Sequence, residues 1–143
     1  MSEYDLDILV GSEHQAALLR RRAAGEFIND AELDWRNIAE GIEDMGCDRL
    51  HAVGSLLVQA LRHMLRAGAW PESRDAPVWL ADAIDCRRQA RRRFVPSMRQ
   101  RIDLAALYAD ARAALPATRE GRTPLVVPEV CPMALDALLG DAP

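Results

Sequence analysis

From Leu33 to Ala67 apolar residues recur at three- and four-residue steps, the longest run of helical period in the chain. Trp35, Ile38, Ile42 and Met45 define one face of a first helix. Leu50, Val53, Leu57, Leu61, Met64 and Leu65 define a second face, which Leu56 and Val58 widen. A helix apolar over so much of its surface belongs at the centre of a bundle or under a second subunit. Gly46 followed by Asp48 reads as a stop signal and a new N-cap, so a break in the stretch is expected there.

Composition agrees with helix. Ala, Leu and Arg are abundant, β-branched residues are scarce and aromatics are only 5%. The abundant types lose least on entering a helix. At 143 residues the chain suits one domain able to bury roughly 70% of its unfolded surface. The expected fold is therefore all-α, a compact helical bundle of five or six helices around one central apolar helix, in a single domain over residues 1–143.

Residues 1–11 read as an N-terminal extension. Ser12 and Gln15 have capping-box spacing, which starts a helix at Glu13 that Gly25 closes after Arg20, Arg21 and Arg22. Phe27 and Ile28 are expected core contacts before a turn at Asn29 and Asp30. Pro71 and Pro77 bound a loop, and a helix follows from Val78 to Phe94 with Trp79, Leu80, Ala83, Ile84, Ala90 and Phe94 inward. Pro96 restarts the chain into a helix to about Leu115, with Met98, Ile102, Ala105, Leu107, Tyr108, Ala111 and Leu115 as candidate core positions. Residues 116–128 form a loop holding the lone strand-like triplet, Leu125-Val126-Val127. A short helix from Met133 to Leu139 follows Pro132 and ends at Gly140.

The formal net charge of −4 argues against a general polyanion binder, although all 18 basic residues are Arg. Cys47, Cys86 and Cys131 form no CxxC pair, which indicates neither a disulfide framework nor a zinc ribbon and fits reduced thiols in a cytoplasm. The acidic N-terminus lacks a signal-peptide pattern, and no apolar run approaches the ~20 residues that span a bilayer.

Candidate chemistry is sparse. Glu40, Asp44, Cys47 and His51 would share one stripe of an unbroken helix, and Glu40 with Glu43 forms an E-x-x-E pair. Bundles that bind two metals use inward Glu and Glu-x-x-His motifs. No Glu-x-x-His exists here, and the stripe lies away from the apolar face, so a solvated polar face is favoured over a metal site. His63 sits on the most apolar segment, where a histidine bonded to a carbonyl or carboxylate is favoured over a ligand. Glu40, Glu43, His51 and His63 are nonetheless the set a metal-dependent enzyme would use. No metal or other cofactor is expected.

Arg87, Arg88, Arg91, Arg92, Arg93, Arg99 and Arg101 place seven guanidinium groups within fifteen residues. Arg87 with Arg91, and Arg88 with Arg92, stack at four-residue spacing into a basic strip. Such a strip grips phosphate or pairs with acidic side chains. No aromatic is interleaved on the exposed side, with Phe94 assigned inward, and no helix-turn-helix pattern precedes it, so nucleic-acid binding is the alternative reading. Serine nucleophile contexts and Gly-rich phosphate loops are missing from the sequence.

The ordered motifs resemble the bacterial domain-of-unknown-function family number 29. They are Tyr4-Asp5 with EHQAALL at Glu13 to Leu19, Asn37-Ile38-Ala39-Glu40 through Glu43, and Met45-Gly46. His63 in LRHMLR, Trp79 with Ile84, Arg87-Arg88 and Pro96-Ser97 follow. Pro128-Glu129, Cys131-Pro132 and Leu135 with Leu138-Leu139 complete the set. The resemblance implies a compact all-helical domain and no assigned activity. Gly41 stands where a second acid is usual after Glu40, which weakens the metal reading, and Met133 replaces the usual aromatic after Cys-Pro. The favoured expectation is a non-enzymatic cytoplasmic interaction module, a homodimer through the 33–67 stretch.

Overall fold

The structure, a computed structural model, describes residues 6–140. Among them the chain is all-α, with five α-helices, two 3-10 turns and no strand. The helices are α1 (Ile8–Ala23), α2 (Trp35–Ala69), α3 (Ala76–Arg93), α4 (Leu104–Ala113) and α5 (Leu135–Leu139). The chain divides into two compact units, Met1–Cys47 and Asp48–Pro143, with the boundary inside α2.

In the first unit, α1 starts earlier than expected. Asp7 is the N-cap, its carboxylate accepting from the amides of Leu9 and Val10. The Ser12 hydroxyl instead donates back to the Leu9 carbonyl inside the helix, so it caps nothing. Residues 8–11 therefore belong to α1, not to an extension; residues 1–5 lie outside the described residues. Gly25 (φ +87°) closes α1 as expected. The Gly25 amide donates to the Arg22 carbonyl and the Glu26 amide to the Arg21 carbonyl, the two bonds of a Schellman motif. Arg21 pairs with Glu26 and Arg22 with Asp30, which ties the end of α1 to the 3-10 turn Asp30–Glu32. Gln15 reaches across the same connection, donating to Glu32 O and accepting from the Asp34 amide.

A small core of Leu18, Ile28 and Leu33, supported by Leu19 and Ile38, holds this unit. Phe27 is a correction: it is 93% exposed rather than in the core. Its neighbour Ile28 fills the one inward position the turn allows. Trp35, Ile42 and Met45 are also exposed, and of that face Ile38 alone is partly covered.

Gly46 does not break α2, which is helical from Trp35 through Ala69. A glycine ends a helix when the chain turns left-handed there; at helical angles it costs only about 1 kcal/mol against Ala. Gly46 has no positive φ, and the good helix formers around it carry the helix past.

In the second unit the expected stripe is the core. Val53 and Leu57 are 0% exposed, and Leu56, Ala60, Leu61 and Leu65 are buried beside them. Ala90, Met98, Tyr108, Ala111, Leu138 and Leu139 pack against this stripe. A second cluster gathers Ala69, Trp70, Ala76 and Trp79 where α2 ends and α3 begins.

The inner face of α3 differs from the expected one. Ala76, Trp79, Ala83, Cys86, Arg87 and Ala90 are buried, while Leu80 and Ile84 are exposed. The buried set steps 76, 79, 83, 86 and 90, a seven-residue repeat of alanines with Trp79 and Cys86 between. Small residues let α3 lie close to its neighbours, so its bulkier aliphatics face outward.

Pro96–Met98 form only a 3-10 turn, and α4 begins eight residues after Pro96 at Leu104. The amides of Arg101 and Ile102 both donate to Met98 O, and the Asp103 carboxylate then accepts from the Ala106 amide. A real N-cap at Asp103 outcompetes the poor one at Val95. Ala105 is exposed, while Met98, Tyr108 and Ala111 are buried as expected.

Residues 116–128 turn tightly at Glu120 (φ +51°) and Gly121 (φ +75°), with reciprocal backbone bonds between Arg119 and Arg122. Two successive positive φ values are the type I′ requirement. The indole of Trp70 donates to Arg122 O, and Arg119 lies over the Trp79 ring while pairing with Asp75. The last helix is shorter than expected, starting at Leu135 rather than Met133, and it inserts Leu138 and Leu139 into the core.

Candidate functional site

The acidic and histidine candidates are dispersed. Glu40 is exposed and accepts from Arg36 Nε at 3.1 Å, an i, i+4 pair on the surface of α2. Glu43 and His51 are exposed. His63 is half-buried, and its Nδ1 is enclosed without a hydrogen-bond partner among the described residues, rather than bonded to a carbonyl or carboxylate as expected. Among the described residues no three His, Cys, Asp or Glu side chains converge in a way that could hold a metal ion. His51 and His63 lie twelve residues apart on one helix, about 18 Å along its axis, so they cannot share a ligand.

The arginine strip is split by the structure. Arg88, Arg91, Arg92 and Arg93 are exposed on the last turns of α3. Arg87 is turned inward and only 5% exposed, which corrects its place in an exposed strip. Its Nε donates to Leu138 O at 2.8 Å, and its Nη2 donates to Ala137 O at 2.9 Å and Gly140 O at 3.3 Å. The planar guanidinium thus caps the C-terminus of α5, where the last carbonyls lack a full set of intrahelical partners and the helix dipole is negative; Ala137 O also accepts the Gly140 amide. Arg99 pairs with Asp136 at the other end of α5 and lies 5.5 Å from the centroid of the Phe94 ring. Two of the seven arginines therefore hold the last helix in place.

A groove of about 600 Å³ lies in the second unit between α2 and the 101–110 segment. Leu50, Val58, Ile102 and Leu107 form apolar walls, with His51, Arg62, Arg101 and Asp110 at the rim. A smaller cavity of about 190 Å³ is apolar and holds Cys131 and Tyr108. The Tyr108 hydroxyl donates to Pro128 O at 2.5 Å; burial, with the Cys131 thiol beside it, pushes the phenol above its ordinary range. Burial and then Asp85 and Asp82 push the Cys86 thiol up as well, so this buried cysteine is a neutral thiol rather than a nucleophile.

The third arrangement is a surface. On the first half of α2, Trp35, Ala39, Ile42, Met45 and Gly46 are all exposed, so an apolar stripe is open to solvent. Ile8, Leu9 and Phe27 of the same unit are exposed too. The sequence period identified this face but not its exposure, because periodicity marks a face as apolar without saying what covers it.

A family model described as Domain of unknown function DUF29 matches residues 3–142. A crystal structure described as an alpha-helical protein of unknown function from Rhodospirillum rubrum is similar at a TM-score of 0.67 and 26% identity. The match covers 97% of this chain and 90% of that one. No curated protein matches the chain.

Proposed function

The chain belongs to the DUF29 family, and from that premise we propose that it is a non-enzymatic helical interaction module that pairs with a second copy through the first half of α2. The observation that carries this reading is the stripe of Trp35, Ile42 and Met45, each more than half exposed. Isolated exposed apolar residues are ordinary; a continuous helical stripe of them is the pattern that interfaces use. Burying the exposed part of each side chain contributes roughly 1 kcal/mol. Pairing is therefore expected to depend on concentration rather than to be permanent. The three cysteines are unpaired, which supports a reducing, cytoplasmic setting. No helix among the described residues is long and apolar enough to cross a membrane.

Light scattering across the micromolar range should give a mass that rises from one chain towards two. Ile42→Ser should hold it at one chain with an unchanged helix signal. A wild-type protein that stays monomeric throughout overturns the proposal.

The nucleic-acid reading keeps some support, because Arg88, Arg92 and Arg93 are exposed and have no acidic partner among the described residues. With Arg87 turned inward, the strip is one guanidinium shorter. On this reading the protein is retained on an RNA or DNA column at low salt and released as salt rises. The double variant Arg88→Ala with Arg92→Ala should elute earlier, and unchanged elution would remove the strip from consideration.

A further inference from the structure

We propose that the apolar cavity between α2 and the 126–133 segment is a binding site for a small uncharged aromatic molecule. Its volume is about 190 Å³. An aliphatic cavity of ~150 Å³ stays dry and takes benzene or xenon, so a single ring fits here with room for a small substituent. The site lies wholly in the second unit and does not depend on pairing through the first half of α2.

The walls set the class of ligand. Leu61, Met64 and Leu65 come from α2, and Val127 and Met133 from the segment that leads into α5. Among the described residues that line the cavity none is charged. An ion would therefore lose its hydration without gaining a counter-charge. Pro128 and Pro132, also on the wall, have no amide hydrogen to offer. The Tyr108 hydroxyl and the Cys131 thiol are the two side-chain donors present, and both hydrogens are committed. The hydroxyl donates to Pro128 O at 2.5 Å and the thiol to Met133 O at 3.4 Å. A water needs two or more polar partners to sit in such a space, and a strongly hydrogen-bonding ligand meets the same difficulty.

Two features favour a ring over an aliphatic chain. Met64 and Met133 bring one thioether from each wall, and a sulfur beside an aromatic ring is a favourable contact. The Tyr108 ring is part of the lining as well, and aromatic pairs gain from edge or offset contact beyond the area they bury. Entry requires no unfolding, because Gly68, Val126 and Pro132 are exposed at the cavity. A bound ring touches α2, α4 and the 126–133 segment together, so its binding stabilises the folded chain.

Benzene is the probe, and the methionine methyl groups are the reporters. In protein with isotope-labelled methionine, benzene should move the Met64 and Met133 methyl resonances and leave that of Met45, in the first unit, in place. It should also raise the melting temperature by a few degrees. Benzoate, the same ring carrying a charge, should do neither. Met133→Phe fills the space from within and should abolish the response of Met64. Gly68 is on the same wall, and a Cβ there meets no atom within 4 Å, so Gly68→Leu serves as the filling variant if Met133→Phe does not fold. Met64 and Met133 resonances that ignore benzene overturn the proposal. So does benzoate acting as strongly as benzene, or a folded filling variant whose Met64 responds as in the wild type.

Discussion

Arg87→Ala should lower the unfolding free energy by about 3 kcal/mol, the largest effect expected from any charged residue described here. Hydrogen bonds to a charged group are worth about 1.5–3 kcal/mol each, and their removal also takes the guanidinium donor from the Leu138 carbonyl, although Ala137 O keeps the Gly140 amide. Arg87 supplies three such contacts, to Ala137, Leu138 and Gly140. The helix they cap has only five residues, far below the ~12 at which an isolated helix becomes even marginal in water. Without the guanidinium, α5 has little to hold Leu138 and Leu139 in the core. Arg87→Lys should recover only part of the loss, because a lysine cannot present two donors in the planar fork that spans adjacent carbonyls. Arg88→Ala, one residue along and exposed, should change stability by less than ~0.5 kcal/mol. Urea unfolding of the three variants gives the comparison. If Arg87→Ala unfolds at the wild-type midpoint, the cap contributes nothing and α5 is held by its leucines alone.

The contrast between Arg87 and Arg88 also shows what could be read from the sequence. Seven arginines in fifteen residues look like a surface strip when they are counted as charges. The alternating signal lay in the small residues: Ala76, Ala83 and Ala90 recur every seven positions with Trp79 and Cys86 between them, and Arg87 stands on the edge of that seam. Alanine is a weak hydrophobic marker, so Leu80 and Ile84 drew the inner face towards themselves. The helix starts differ from the capping patterns for a related reason. Ser12 with Gln15 has capping-box spacing and Pro96 suits a helix restart despite the poor cap at Val95, but Asp7 and Asp103 have carboxylates that accept two and one backbone amides respectively. The all-helical fold and the core stripe from Val53 to Leu65 were legible, because their period persists over many turns. The state of the Trp35 to Met45 face was not, since its covering depends on a surface that the local pattern does not encode.

The same long helix should therefore respond in two ways to the same kind of change. Leu57→Ala should cost about 3 kcal/mol, within the range for a fully buried leucine whose surroundings cannot collapse into the void. Leu57 is 0% exposed and sits among Val53, Leu61 and residues from α3, α4 and α5, so several elements would have to shift to fill the space. In a chain of this size that loss lowers the melting temperature by roughly 6–12 °C. Ile42→Ala, fifteen residues earlier and 66% exposed, should leave the melting temperature of the dilute protein almost unchanged and act only where copies meet. A thermal scan of both variants at two protein concentrations separates these effects: the Leu57 loss is the same at each, whereas any Ile42 loss grows with concentration. Equal losses for the two at low concentration would mean that the Ile42 face is covered within its own chain. In that case the stripe is a second core segment, and the helix has a single role along its length.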